Sequence, residues 1–228
     1  MNIAEQIRRL KHQEQSRARA DAIEIRDDED LPAGMLVPIG AWALKDPGLI
    51  DDFTAWRRAF RRFFLTRFTE TPEHTLAYLK NVAIAEEDRI LFALTTLEGR
   101  VIGHLGLCNI SAECGELDNF IRGVSGGPPN LMFLAERQLL RWAFFDLGLE
   151  RILAQVLSFN FLAHGLHAPL GFEVLEQRCL RQSTQGPLVS HSTCEPEDSN
   201  VSYKLDLLAL DRSVFEALAA SEPRRPAD

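Results

Sequence analysis

The sequence predicts an α/β (α+β) domain, and three stretches carry that prediction. Residues 115–172 read in order as strand, Gly/Pro-rich loop, long helix, strand and short helix. Residues 90–97 and 100–110, joined by Glu98-Gly99, read as a hairpin of antiparallel strands. Residues 51–68 place Phe53, Trp56, Phe60, Phe63 and Phe64 at helical spacing, a pattern that needs a core to face. At 228 residues and 46% hydrophobic content, the chain can bury that core in one good-sized domain.

Taken in order, residues 2–20 read as a charged, exposed helix with few apolar positions, with an oligomer contact and hence a homodimer left open. Residues 22–32 are acidic and read as a linker, so 1–33 form an arm, 34–212 the main domain and 213–228 a C-terminal helix and tail, frayed from 221. A first strand is expected over 35–44, and Lys45-Asp46-Pro47-Gly48 reads as a turn. In the helix that follows, Arg57, Arg58, Arg61 and Arg62 cover a second side, read either as a solvated basic face or as an anion site. Thr71-Pro72-Glu73 starts a helix, with Thr as cap and Pro in the first turn, that runs to about residue 86.

The strand at 115–121 is unusual because Glu116, Asp118 and Asn119 interrupt an apolar run. Strict alternation would put Glu116, Asp118 and Phe120 on one face and Leu117, Asn119 and Ile121 on the other. A turn with three glycines (122–130) leads into a helix whose apolar residues recur from Leu131, and Gly148 stands where its C-cap belongs. Residues 150–157 form the next strand, and Asn160 opens a short helix ending at Gly171-Phe172. The polar segment 181–200 reads as a long loop, functional or mobile, before a last strand at 201–208.

Composition excludes several function classes. A net charge of −8 argues against a nucleic-acid binder held by phosphate attraction. No apolar run approaches the ~20 residues of a membrane span, and the charged N-terminus is not a signal peptide. The four cysteines lack a C-x-x-C pair and read as reduced thiols of a cytoplasmic protein. His164 and His167 have no third ligand at suitable spacing, so no metal is expected.

Asn160, Ala163, Leu166, Leu170, Gly171 and Phe172, preceded by Trp142-Ala143-Phe144, Leu147-Gly148-Leu149 and Arg151-Ile152, and before them by Gly115-Glu116-Leu117 and Phe120-Ile121, resemble the signature region of the GNAT superfamily of acyl-CoA-dependent N-acyltransferases. The group around the ribosomal-protein N-terminal acetyltransferases is the most similar part. The motifs lie within residues 100–172 and the resemblance spans roughly 35–210. The superfamily's R-G-x-G-x-A turn is altered: aligned on Arg122, Ser125 replaces a glycine, and aligned backwards from Trp142, Asn130 does.

The resemblance implies a mixed, mostly antiparallel sheet, splayed at the acyl-CoA site and flanked by helices. It implies acetyl-CoA or another acyl-CoA as co-substrate. Phe120, Ile121 and Arg122 would meet the pantetheine arm, Asn130, Leu131 and Met132 the pyrophosphate, and Asn160 the pantetheine end. Glu116 matches the family's recurrent acid and is the candidate general base, with Asp118 in reserve. His167 stands where many members place a tyrosine that protonates the departing thiolate, work that an imidazole can do. Arg57 and Arg61, together with Asn119 beside Asp118, suggest an acceptor with a diphosphate and hydroxyls: a small-molecule amine such as a nucleotide-linked amino sugar. A protein N-terminus is the alternative acceptor, and a catalytically silent acyl-CoA-binding module the alternative class.

Overall fold

The computed structural model describes residues 2–12 and 14–221, so all of the expected frayed tail beyond Ser221 lies outside the described residues. The chain opens with α1 (Ile3–Lys11), capped by the Asn2 side chain, and α2 (Gln15–Ala20). These helices are not an exposed arm. Ile7 and Leu10 are buried in the main core, and the Lys11 Nζ donates to the Glu86 carbonyl at 2.5 Å. The sparse apolar positions of this stretch fall on one side of α1, which is all that docking requires. The segment read as an acidic linker contains β1 (Ile23–Arg26), which pairs antiparallel with β2 (Pro32–Pro38).

The expected turn at residues 45–48 is instead the start of α3 (Pro47–Phe60): Asp46 accepts from the Leu49 N–H and Pro47 occupies the first turn. Asp-Pro is a helix-start signal as well as a turn signal, and the apolar residues beyond it decide between them. The helix buries Leu49, Ile50, Phe53 and Trp56, and the chain then forms the short β3 (Thr66–Arg67) and α4 (Pro72–Tyr78). The hairpin is present as β4 (Ile90–Thr95) and β5 (Val101–Cys108).

The remaining elements are β6 (Cys114–Arg122), α5 (Leu131–Arg141), β7 (Arg151–Leu157), α6 (Phe161–His167), β8 (Glu173–Gln185), β9 (Leu188–Cys194), β10 (Lys204–Asp211) and α7 (Arg212–Ser221). Gly148 takes the left-handed conformation (φ 77°) that its place after α5 requires. The polar segment 181–200 is not a loop: most of it belongs to the β8–β9 hairpin, where Cys179 and Cys194 face each other as free thiols. Its strands are polar because they are largely exposed on both faces, which hides the alternation that a half-buried strand shows.

The strands form one sheet in the order β1-β2-β4-β5-β6-β7-β10-β8-β9-β3, and among the described residues only β6–β7 is parallel. The expected mixed, mostly antiparallel sheet is thus what the chain adopts. One face packs α1, α5 and α7 into the larger core, around Phe92, Leu134, Phe144 and Phe215. The other packs α3 and the segment after α4 into a second core, around Trp42, Phe53, Trp56 and Leu79. No helix among the described residues is long and apolar enough to cross a membrane.

Gly123, just past β6, locks α3 to the sheet. A Cβ there would lie 2.0 Å from Cδ2 of Trp56. Gly123→Ala is therefore expected to cost about 1–3 kcal/mol by overpacking, read as a lowered thermal midpoint; an unchanged midpoint would show that this approach is not tight.

Candidate active site

Pairing between β6 and β7 is confined to Cys114↔Arg151, Gly115↔Ile152 and Glu116↔Leu153. Beyond these, β7 stays with β10 as far as Leu157↔Leu205, while β6 follows β5. The two strands diverge, and from Leu117 onward β6 has no partner on its β7 side. The cause of the divergence is visible in β6 itself. His104 pairs with Ile121 and Gly106 with Asp118, so Asn119 and Phe120 together oppose the single residue Leu105. Asn119 has φ 54°, a left-handed conformation that asparagine tolerates. This is a β-bulge, which bends and twists its strand.

The bulge also corrects the expected alternation. Asp118 and Asn119 lie on the same side: the Asn119 Nδ2 donates to Tyr78 Oη and to Asp118 Oδ2, both at 2.7 Å. Phe120 is turned to the opposite face, where its ring meets that of His167 edge-on at 5.7 Å. Ile121 joins the α3-side core. One extra residue thus moves Phe120 to the α5 side and Asn119 to the α3 side.

A cavity of about 870 Å³ occupies the splay and reaches both faces of the sheet. On the α5 side, Phe120, Met132, Leu166 and His167 line it; on the α3 side, Phe53, Arg57, Glu70 and Tyr78 do. Glu116 stands on its wall where the two strands part. Its Oε1 accepts from the Gln155 Nε2 at 2.9 Å and its Oε2 from the Asn109 Nδ2 at 3.0 Å. These neutral amides orient the carboxylate without supplying a compensating charge. Asp118 differs, because its carboxylate is held in an ion pair by Arg89, itself bonded to Glu86 at 2.9 Å.

His167 is buried, and its Nδ1 lies 2.6 Å from Oε1 of Glu136 on α5. Glu136 is fully buried; desolvation raises its pKa, opposed by His167. Among the described residues Nε2 of the imidazole carries no hydrogen bond, and the ring lies on the cavity wall. Asn160 also lines the cavity, although its Oδ1 is occupied in capping α6, accepting from the Ala163 N–H at 3.4 Å.

Arg122 acts through its side chain. The guanidinium donates to the carbonyls of Gly126 (2.9 Å), Pro128 (3.3 Å) and Pro129 (2.6 Å), folding the glycine-rich loop around itself. With carbonyls drawn to Arg122, the N–H groups of Ser125, Gly126, Gly127, Asn130 and Met132 have no acceptor among the described residues. The Leu131 N–H is already bonded to the Pro128 carbonyl (3.0 Å) and its side chain is buried, so Leu131 anchors the cradle. Unpaired N–H groups at the start of an eleven-residue helix form a fitting seat for a pyrophosphate. The unpartnered β6 edge offers amide groups to an extended arm such as pantetheine. Residues present therefore fit acetyl-CoA, on two independent features.

The arginine cluster is dispersed. Arg57 reaches the cavity, but its guanidinium lies 3.3 Å from the Phe64 ring centroid and its Nη2 donates to the Thr66 carbonyl at 2.9 Å. Burial lowers its pKa to about 10. Arg61 is exposed and away from the cavity wall, Arg58 is exposed and bonds the Glu70 carbonyl, and Arg62 lies over Phe63. Two cavity residues, Tyr78 and Glu70, were not singled out by the sequence pattern, nor was Glu136, which stands behind His167. Among the described residues no three His, Cys, Asp or Glu side chains converge as a metal site would need.

A model of the acetyltransferase (GNAT) domain matches residues 39–173 of the chain. The chain belongs to the GNAT superfamily. The GNAT domain and its fold make it an acetyl-CoA-dependent acetyltransferase. Solved structures with the same fold include a GNAT-family acetyltransferase from Bacillus anthracis, 13% identical over 79% of this chain and 96% of that one, at a TM-score of 0.57. Apo FdhC, a nucleotide-linked sugar GNAT, is 10% identical over 85% and 93%, at 0.59. Mutant forms of the spermidine/spermine N-acetyltransferase SpeG from Vibrio cholerae are 14% identical over 82% and 98%, at 0.56. No curated protein matches the chain.

His104 lies beneath the cavity and ties the bulge down: its Nδ1 is 2.7 Å from the Asn119 carbonyl, and its ring packs on Phe53 and Trp56. Burial pushes its pKa down to about 4. Between pH 6.5 and 4 the unfolded chain binds a proton that the folded protein refuses, so stability falls as pH falls through this window, on the order of 3 kcal/mol from this residue. His104→Phe is expected to flatten that part of the pH–stability curve in denaturant titrations; an identical curve would show that His104 does not titrate differently in the two states.

Proposed function

We propose that the protein transfers the acetyl group of acetyl-CoA to the primary amine of a small molecule. The observation that carries this reading is the cavity through the splay, which runs from the start of α5 to the α3 side of the sheet and has both Glu116 and His167 on its wall. Bound acetyl-CoA would supply the thioester. Its pyrophosphate would be held by the N–H groups of residues 125–127, Asn130 and Met132, and its pantetheine arm by the β6 edge near Phe120 and Ile121.

A primary amine, with a pKa from about 8 for an α-amino group to about 10 for an alkylamine, arrives mostly protonated, so its attack needs a base. Glu116 takes that proton, directly or through a water, because no cation competes for its carboxylate. Asp118, held by Arg89, shapes the wall instead. His167 gives a proton from Nε2 to the leaving sulfur, while Glu136, 2.6 Å from Nδ1, holds the ring in orientation. Starting from the ammonium, nitrogen loses two protons as the C–S bond breaks and the C–N bond forms: the equivalent of one reaches the sulfur, and the other leaves through Glu116 to solvent.

Identities of 10–14% carry the fold alone, so the acceptor is argued from the chamber. A nucleotide-linked amino sugar needs a cationic fork for its diphosphate, and Arg57, Arg58, Arg61 and Arg62 form none. A peptide N-terminus remains the second reading, since the cavity is open to solvent and the sequence resembles enzymes of that kind.

Glu116→Gln is expected to lower kcat by roughly 10²–10⁴-fold while CoA affinity, measured by calorimetry, stays within a few-fold. Full turnover in that variant would reject the base assignment. His167→Phe and Glu136→Gln should both lower kcat and shift the alkaline limb of its pH profile, which reports the proton donor. A limb that stays in place in both variants would mean that water protonates the sulfur.

A further inference from the structure

On the reading that amine acetylation takes place in this cavity, the α3-side chamber narrows the acceptor. Phe60, Phe63, Phe64 and Phe68 come from one short stretch of chain, line the cavity, and are only half-buried. Rings of this size are ordinarily covered, and here the uncovered surface looks into a pocket. Water against four phenyl walls is easily displaced by an apolar body.

Among these rings stands a buried carboxylate. Glu70 is 3% exposed, lines the cavity, and its Oε1 has no hydrogen-bond partner among the described residues. A buried carboxylate oxygen without a donor costs free energy, and a ligand N–H would remove that cost. Among the described residues no cation is bonded to its carboxylate: Arg58 reaches only its backbone carbonyl, and Arg57 is stacked on Phe64 and bonded to Thr66. The charges facing the chamber argue the same way. Arg89 is held by Asp118, Arg57 by Phe64 and the Thr66 carbonyl, and Arg122 by the carbonyls of its own loop, which leaves none of the three arginines on the cavity wall free for a ligand. An anionic acceptor would find no free guanidinium there, whereas an amine N–H would find the unpartnered Glu70 oxygen.

We propose that the acceptor is a small, non-anionic primary amine with an aromatic or otherwise apolar body, that the body lies on Phe60, Phe63, Phe64 and Phe68, and that Glu70 accepts a hydrogen bond from its polar end. Glu70 is thus a specificity-determining residue and not a proton carrier, a division that separates it from Glu116.

The test is calorimetric titration of the CoA-loaded full chain with phenethylamine, putrescine, a uridine-diphosphate amino sugar and a short peptide with a free N-terminus, followed by kcat and KM for each with acetyl-CoA. Phenethylamine should bind at least tenfold more tightly than the other three. Glu70→Gln should weaken it about tenfold and raise KM in step, with kcat within about threefold. Phe68→Leu, which keeps the wall apolar but removes a ring, should weaken it several-fold and serves if Glu70→Gln does not fold. Tighter binding of the amino sugar or the peptide, or unchanged affinity in both variants, would overturn the proposal. Binding as expected without any acetyl transfer would support the chamber assignment and reject the transferase reading; acetylation of another amine with no binding of phenethylamine would do the reverse.

Discussion

A sheet held by continuous pairing has no room for a ligand between its strands, so the site here depends on where pairing stops. Glu116↔Leu153 is the last rung between β6 and β7. Past it, the bulge at Asn119 turns β6 toward β5 and away from β7. The left-handed residue is secured from three directions: its amide donates to Tyr78 and Asp118, its carbonyl meets the His104 imidazole, and Asp118 is itself fixed by Arg89. Much of this anchoring is buried, which explains why polar residues are spent there. Burial keeps His104 neutral and raises the Tyr78 pKa, through desolvation first and Asp118 second. The same contacts that hold the bulge therefore define one wall of the cavity.

The opposite wall is held by the far edge of the sheet. The stretch after α3, which carries Phe63, Phe64 and Phe68, contributes β3, and β3 pairs with β9 through Thr66↔Ser190 and Arg67↔Val189. His191 adds two bonds to the Leu65 carbonyl, from its backbone N–H at 2.9 Å and its Nδ1 at 2.8 Å, and its Nε2 meets Tyr203. The β8–β9 hairpin, polar and exposed for most of its length, thus serves as a strut for the proposed acceptor chamber.

The parts legible in the sequence are those with a strong period or a stereotyped cap. The 90–108 hairpin, the helix from Leu131, the Asn160 cap and the strand at 114–122 all follow from local pattern. The parts that were not legible depend on contacts between residues far apart. A one-residue bulge leaves no mark on hydropathy, and it alone decides which way Phe120 and Asn119 face. Four arginines within six residues look like an anion site until the fold gives the guanidinium groups of Arg57, Arg58 and Arg62 to Phe64, Phe63 and backbone carbonyls. Glu70 and Glu136 read as ordinary acids in a chain with 33 of them, and only burial distinguishes them.

Glu136 shows what a rigid element adds. A carboxylate with no exposure, and with Oε2 lacking a partner among the described residues, is costly in isolation; its bond to His167 offsets part of that cost. Its position on α5 gives the expense a geometric return. Met132, at the unpaired N-terminal turn, and Glu136 are four residues apart and so share one face of the helix, the face toward the cavity and α6. Leu131, Ala135 and Leu139, all fully buried, fix that helix against the sheet. The proposed seat for the pyrophosphate and the support for the proposed proton donor consequently lie on one rigid body. A cofactor placed by the first is placed, without further adjustment, with respect to the second.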